Sequence, residues 1–200
     1  GYSSAASDVY KRQAMQYLKT YLKKITDRGN VKLAESISKT ADDVGNKHIK
    51  NFSFTSHEIG LLFGNVQSGK TGQMFGIMCK AADLGFPVFI LLTTDNVVLQ
   101  QQTLERVKSD LDGFCICGEN DARLFTDNSL IEPAIIVLKK NVRILKLWAN
   151  ILNSTGFMKG NPLFVIDDEA DAASLNTLVN RDRQSSINKY CLLYTSDAAD

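Results

Sequence analysis

Apolar residues in the first part of the chain recur three or four positions apart, as they do on one face of an α-helix. In the first such segment they are Met15, Leu18, Leu22 and Ile25. This spacing predicts a helix from Ala14 to about Ile25, a break at Gly29 and a second helix over Val31–Val44. The two helices form a predicted hairpin over residues 14–50, ahead of the main domain.

From Ile59 onward the pattern changes to short, continuous apolar runs that alternate with helical segments. Such runs, without alternating polar positions, are typical of strands covered on both faces. The predicted strands are Ile59–Phe63, Pro87–Thr93, Ala134–Leu138 and Pro162–Ile166. The predicted helices are Met74–Leu84, Val97–Leu111 and Val142–Leu152. Strand–helix alternation predicts an α/β domain over residues 51–190, with a mostly parallel sheet and helices on both faces.

The stretch Asp112–Pro133 carries little periodicity and is predicted to be an irregular connection. Cys115 and Cys117 lie in it, but no second Cys/His pair follows at zinc spacing, so we expect small, semi-buried thiols. Surface or packing roles are expected for His48 and His57. Trp148 lies among apolar helix positions and is predicted to be a core residue.

The two ends of the chain share one origin. Residues 3–13, SSAASDVYKRQ, back-translate to a short DNA whose reverse complement, read from its second base, encodes CLLYTSDAAD, residues 191–200. This DNA resembles the adapter of a transposase-based sequencing library. We therefore expect residues 1–13 and 191–200 to be adapter-derived and exclude them from the fold. The natural segment is then residues 14–190, with a reading frame that continued beyond both ends.

The composition is that of an ordinary globular chain, with 44% hydrophobic and 22% charged residues. The formal net charge is +1, so bulk charge alone would not bind nucleic acid. Cys191 lies in the adapter-derived end, and the three other cysteines suit a reducing compartment better than a disulfide framework. No apolar run approaches the length of a membrane span, so we expect a cytoplasmic protein without a membrane partner.

A glycine-rich motif follows the first predicted strand. Its sequence, GNVQSGKT, matches G-x-x-x-x-G-K-[ST] at every position and opens a predicted helix. The glycines let the backbone approach a phosphate, successive N–H groups point at the phosphate oxygens, and the helix N-terminus favours an anion. Lys70 would reach the β and γ phosphates of ATP, and the Thr71 hydroxyl would bind Mg²⁺. The predicted nucleotide-binding residues are Gly64, Asn65, Val66, Gln67, Ser68, Gly69, Lys70 and Thr71.

An acidic cluster, Asp167-Asp168-Glu169-Ala170-Asp171, follows the last predicted strand. A buried strand delivers such carboxylates to the carboxyl edge of the sheet, where α/β proteins bind ligands. ATP hydrolysis needs one carboxylate for Mg²⁺ and one that orients the attacking water. Asp168 and Glu169 are the predicted pair, and Asp167 is the rival for the metal. An acidic loop that caps a helix is the alternative.

These strings resemble a known class of ATPases. Asp168–Asp171 spells the DEAD motif of superfamily-two helicases. The strings GNVQSGKT, LLTTDNVVLQQQTLERV, IIVLKKN and FVIDDEADAASLNT resemble helicase-type ATPases that carry a Z-one domain, an endonuclease-type domain. The resemblance covers Gly64–Thr177. It implies a RecA-like P-loop NTPase fold, ATP and Mg²⁺ as ligands, and a bacterial protein of a defence or restriction-like system.

The resemblance also implies a nucleic-acid partner, with DNA expected. The segment Thr93–Arg106 is similar to the helicase segment that touches the strand. Its candidate phosphate contacts, which could equally decorate a solvated helix face, are Gln100, Gln102, Thr103 and Arg106. A basic cluster after the third strand could bind the nucleic-acid backbone or be solvated charge, and it comprises Lys139, Lys140 and Arg143. Three further residues would couple the nucleotide site to the strand or only cap a helix, namely Ser174, Asn176 and Thr177.

The sequence therefore predicts the first lobe of a nucleic-acid-dependent, helicase-like ATPase. Such motors have a second RecA-like domain that supplies an arginine finger, and the chain ends before one. The isolated lobe should therefore bind nucleotide but turn it over poorly. The alternative is an ATP-binding switch that acts through protein partners. A P-loop kinase for a small molecule is disfavoured by the DEAD string and by the missing lid-type arginine pattern.

Overall fold

The computed structural model describes residues 16–53, 62, 69–128, 131–155 and 161–168. The helices in these ranges are α1 (Tyr17–Asp27), α2 (Val31–Val44), α3 (Lys70–Asp83), α4 (Val97–Asp110), α5 (Ala122–Asn128) and α6 (Val142–Ser154). The strands are β1 (Val88–Thr93), β2 (Cys115–Cys117), β3 (Ala134–Lys139) and β4 (Leu163–Asp167). One π-helical turn, Gly45–Ile49, continues α2.

The four described strands form one parallel sheet in the order β2-β3-β1-β4. At the carboxyl end of β1, Thr93 pairs with Lys139 of β3, and Leu92 pairs with Asp167 of β4. Every residue of β1 is buried, as its unbroken apolar sequence predicts. The predicted α/β class with a parallel sheet is confirmed.

The pleat of the sheet divides the core into two clusters. Phe89, Leu91 and Val137 join one cluster with apolar residues of α1, α2, α3 and α4. Ile90 and Leu92 alternate with them and join the other cluster, with apolar residues of α5 and α6. The described helices therefore cover both faces of the sheet, as predicted, and α3 lies on the opposite face from α6.

The connections across the sheet run in two directions. The path from β1 to β2 goes through α4, whereas the path from β3 to β4 goes through α6 on the opposite face. If all crossovers between parallel strands have the same handedness, two crossovers that run in opposite directions along the sheet must lie on opposite faces. The neighbours β1 and β3 thus send their following helices to opposite faces, and in α/β sheets ligands bind at the carboxyl ends of strands in this arrangement.

The N-terminal hairpin of α1 and α2 packs on α3. Ile37 of α2 is fully buried and lies against α3 at Gly76. At the other end of α3, Asp83 accepts hydrogen bonds from the first N–H groups of α1, those of Tyr17 at 2.8 Å and Leu18 at 3.2 Å. These N–H groups have no partner within their own helix, so Asp83 caps α1 from outside it. The hairpin, predicted as a separate element, shares one hydrophobic cluster with the sheet.

The prediction of an irregular connection over Asp112–Pro133 is wrong, because this stretch contains β2 and α5. Both elements are short: β2 pairs on one side with β3, and Phe125 is the buried residue of α5. Elements this short contain too few apolar residues for a helical or strand periodicity to be recognised in the sequence. Helix α3 begins at Lys70 rather than at Met74, since its first turn carries few apolar residues. The predicted strand Ile59–Phe63 lies outside the described residues except for Leu62.

The other predicted helices and strands agree with the structure to within a few residues. Trp148 is fully buried, as predicted, and its Nε1 donates to the Glu119 carbonyl at 3.0 Å. Among the described helices, none is both long and apolar enough to cross a bilayer.

Candidate functional site

The described end of the glycine-rich motif lies at the N-terminus of α3. Gly69 adopts a left-handed conformation with φ of 74° and is the N-cap residue of the helix. This conformation disfavours residues with a Cβ, so the backbone at this position has the unusual conformation that the glycine was predicted to allow. Having no side chain, Gly69 cannot cap the first N–H groups of α3. Lys70 is exposed and Thr71 is half-buried in the first turn, where an anion would meet both.

The predicted metal carboxylate lies at the carboxyl edge of the sheet. Asp168 follows the last residue of β4, and its N–H donates to the Leu92 carbonyl of β1 at 3.0 Å. This bond extends the ladder between β1 and β4 by one step beyond Asp167. The sheet therefore fixes the backbone of Asp168. The residue itself is only half-buried.

The rival carboxylate has a different environment. Asp167 Oδ1 lies 2.6 Å from Lys140 Nζ, and the side chain of Lys140 is completely buried. Lys140 follows β3, whereas Asp167 ends β4, and β1 lies between these two strands. The ion pair thus crosses the carboxyl end of β1. The sequence left Lys140 as either a nucleic-acid contact or a solvated charge, and its burial corrects both predictions, because the ammonium is not presented on the surface.

Two side chains extend the pairing of β3 beyond the end of β2. The last residue of β2, Cys117, pairs with Ile136. Further along, Gln100 Nε2 donates to the Val137 carbonyl at 3.2 Å, and Glu119 Oε1 accepts the N–H of Lys139 at 2.9 Å. The edge groups of β3 are therefore satisfied by side chains where β2 no longer reaches.

These bonds correct two more predicted nucleic-acid contacts. Gln100 is 6% exposed, and its side-chain amide donates its hydrogen bond within the protein. The Lys139 ammonium lies 3.7 Å from Glu119 Oε2, and both side chains are mostly buried. Neither residue is displayed as a surface contact for a phosphate.

The other nucleic-acid candidates lie on two helices. The Arg106 guanidinium pairs with Asp110 at 3.7 Å and lies 6.0 Å from the centre of the Phe75 ring, so it faces α3. Gln102 is exposed in α4, and Thr103 beside it is half-buried. Arg143 is exposed in the first turn of α6. The structure thus leaves Gln102, Arg106 and Arg143 as the accessible candidates of the set, with Thr103 partly so.

Polar residues that sequence reasoning missed begin the helices after β1 and β3. The Asn96 side chain accepts from the N–H groups of Val98 and Leu99, and the Asn141 side chain accepts from that of Arg143. Both asparagines immediately precede an apolar helical run, which is the known signal for an N-cap. Asn141 Nδ2 also donates to Asp95 Oδ2 at 3.3 Å and so joins the two caps across the carboxyl ends of β1 and β3.

The thiols of Cys115 and Cys117 are buried, and their sulfur atoms lie 3.8 Å apart. Burial raises the pKa of both thiols, which keeps them protonated and unreactive. Across the described ranges, no three His, Cys, Asp or Glu side chains converge into a metal-binding group. The sequence predicted small, semi-buried thiols, and the structure buries both of them.

Several predicted site residues lie outside the described part of the chain. In the glycine-rich motif they are Gly64, Asn65, Val66, Gln67 and Ser68. After β4 they are Glu169, Ser174, Asn176 and Thr177. Their predicted roles stay predictions.

Comparison of the chain with protein-family models, with curated proteins and with solved structures gave no match.

Proposed function

We propose that the chain is the nucleotide-binding lobe of a RecA-like P-loop ATPase that works on nucleic acid. The observation that carries the proposal is the junction of Gly69 and α3. The second glycine of the G-x-x-x-x-G-K-[ST] sequence has a left-handed conformation at this point. The lysine and threonine that follow it occupy the first turn of a core helix.

The position of Asp168 supports the same proposal. It follows a strand of the parallel sheet, at the edge where α/β proteins bind ligands. The described donors, the Thr71 hydroxyl and the Asp168 carboxylate, are hard oxygen ligands and suit Mg²⁺. A magnesium site of this kind needs only one or two protein oxygens, because water and the nucleotide phosphates supply the rest. Bound there, Mg²⁺ would neutralise charge on the phosphates.

In this proposal each residue of the site has its own role. Backbone N–H groups of the motif bind the phosphates, and Lys70 adds a positive charge for the β and γ phosphates. Thr71 and Asp168 hold Mg²⁺. Glu169 orients the attacking water. The second lobe expected from the resemblance would supply an arginine, whose absence typically costs about 10³–10⁵ in rate.

The test is Lys70→Ala, compared with Lys32→Ala, which removes an exposed lysine of α2. The titration of a fluorescent ATP analogue should show binding by the unaltered chain and by the Lys32 variant, and strong loss in the Lys70 variant. In a longer protein that includes the second lobe, Lys70→Ala should also abolish DNA-stimulated hydrolysis. Undiminished hydrolysis would overturn the assignment.

A second candidate is an ATP-binding switch that acts through protein partners. It is favoured by the intramolecular pairing of Lys139 and Lys140, which removes two of the predicted nucleic-acid contacts from the surface. DNA or RNA stimulation of hydrolysis separates the two functions. Stimulation by either nucleic acid supports the motor, and its absence in an active two-lobed protein supports the switch.

A further inference from the structure

Helix α2 of the hairpin runs along α3 in the same direction. Toward the C-terminal ends of the two helices, Asp42 of α2 pairs with Lys80 of α3 at 2.7 Å. Nearer their N-terminal ends, Ser36 Oγ accepts a hydrogen bond from Gln73 Nε2 at 3.0 Å. Because later residues of one helix meet later residues of the other, the helices are parallel. The first turn of α2 therefore lies beside the end of the glycine-rich motif.

Leu33, in that first turn, packs on Gly69. Its Cδ1 atom lies 3.0 Å from the position that a Cβ on Gly69 would occupy. Among the described residues outside α3, only Leu33 comes within 4 Å of that position. Leu33 is itself held in place, because Ile37 lies one turn later on the same face of α2 and is completely buried against α3.

The conformation of Gly69 decides where the first N–H groups of α3 point, and these groups would donate to the nucleotide phosphates. Glycine adopts positive and negative φ about equally readily, so its own preference does not hold Gly69 at φ of 74°. Gly69 also has no side chain that could cap the helix. Its conformation must therefore be held by its surroundings, and the methyl group of Leu33 is in contact with it.

We propose that Leu33 is a positioning residue, which packs on Gly69 and so holds the first turn of α3 in the geometry that binds nucleotide phosphates. This inference rests on the proposed nucleotide-binding function. It adds to that function a role for the N-terminal hairpin, beyond covering one side of α3.

The first measurement is the affinity for a fluorescent ADP analogue, which does not depend on turnover. Leu33→Ala should weaken binding by about 10–100-fold, which corresponds to the loss of one hydrogen bond to a charged group. Leu33→Met has a similar volume and should restore most of the affinity.

The matched control is Leu22→Ala. Leu22 is the other half-buried leucine of the hairpin and packs against the same hydrophobic cluster, but from α1. It lines a surface recess with Asp83, at the opposite end of α3 from Gly69. Its truncation should leave the affinity for the ADP analogue unchanged at a temperature where all variants are folded.

The second measurement needs no nucleotide. The N–H of Gln73 donates to the Gly69 carbonyl at 3.1 Å, so its hydrogen exchange reports how firmly Gly69 is held. Nuclear magnetic resonance should show faster exchange of this N–H in Leu33→Ala than in Leu22→Ala, after correction for any difference in global stability. A merely structural role would affect both variants alike.

If Leu33→Ala does not fold, Leu33→Val tests the same contact, because it keeps a branched apolar side chain but has no δ carbon to reach Gly69. The inference is overturned if loss of the Leu33 contact leaves ADP binding as tight as in Leu22→Ala, or if Gln73 exchanges equally in both. Nucleotide binding that survives Lys70→Ala would overturn the proposed function instead. The exchange comparison would still decide whether Leu33 holds Gly69, so the two failures are distinct.

Discussion

Ile37 and Gly76 pack so closely that a Cβ atom on the glycine would lie 2.3 Å from Cγ2 of the isoleucine. This contact joins α2 of the hairpin to α3, the helix whose first turn carries Lys70. Gly72, one turn earlier, meets the Cδ1 tip of the same isoleucine, with 3.1 Å to its hypothetical Cβ. Two glycines on one face of α3 thus allow α2 to approach the backbone of the helix.

Gly76→Ala should destabilise the protein by about 1–3 kcal/mol through overpacking, although alanine is the better helix former by roughly 1 kcal/mol. Chemical denaturation, followed by the helix signal in circular dichroism, measures the change. Gly72→Ala should cost less, because it meets the far end of a flexible side chain. The cost of Gly76→Ala should be smaller in an Ile37→Ala background, where the clashing side chain is absent, and strictly additive effects would contradict the proposed contact.

Lys140→Met should destabilise the fold by about 3–5 kcal/mol, because it removes one charge of an ion pair whose two side chains are completely and mostly buried. Lys80→Met is the comparison. Its partner Asp42 is about half exposed, so the loss should be about 0–1 kcal/mol. Equal unfolding midpoints in urea for the two variants would argue against a special role for the buried pair.

Gln100→Ala should cost about 1–3 kcal/mol, because it leaves the Val137 carbonyl without its side-chain donor beyond the end of β2. Gln102→Ala, two residues further along the same helix, changes an exposed side chain and should have little effect on stability. The same pair checks the nucleic-acid hypothesis. A DNA-binding defect is expected only for Gln102→Ala at a temperature where both variants are folded.

Burial raises the pKa of the Asp83 carboxyl above its ordinary value of 3.8, and the hydrogen bonds from Leu18 and Tyr17 only partly offset this. The folded state therefore binds the proton more tightly than the unfolded state. The contribution to stability is full below the ordinary pKa and is lost as pH rises through the raised pKa.

Asp83→Asn removes this titration but keeps one oxygen that can accept from α1. The difference in unfolding free energy, unaltered chain minus variant, should therefore fall as pH rises through the acid range above 3.8. Urea unfolding at a series of pH values measures it. A difference that rises with pH would show that the hydrogen bonds outweigh burial.

Much of the architecture is readable from local patterns. The runs at Val88–Thr93 and Ala134–Lys139 are apolar throughout because both faces of their strands are covered, and such runs predict a buried parallel sheet. The spacing of apolar residues in Val31–Val44 likewise predicts the bounds of α2. Cys115–Cys117 is too short for either signal, and its strand forms because β3 offers a free edge.

The candidate site divides in the same way. GNVQSGKT and the acidic run after β4 are contiguous strings, so the candidate chemistry and the need for a glycine at position 69 can be predicted from the sequence alone. The presence of a charged residue in the sequence, however, does not show whether its side chain is paired inside the protein or exposed. Lys139, Lys140 and Arg143 are close neighbours in the chain, but only the structure separates them into two lysines with internal partners and one exposed arginine. The pairing of Lys140 with Asp167 depends on strand order, which places β3 and β4 on either side of β1, and strand order is set by packing of the whole domain rather than by any local pattern.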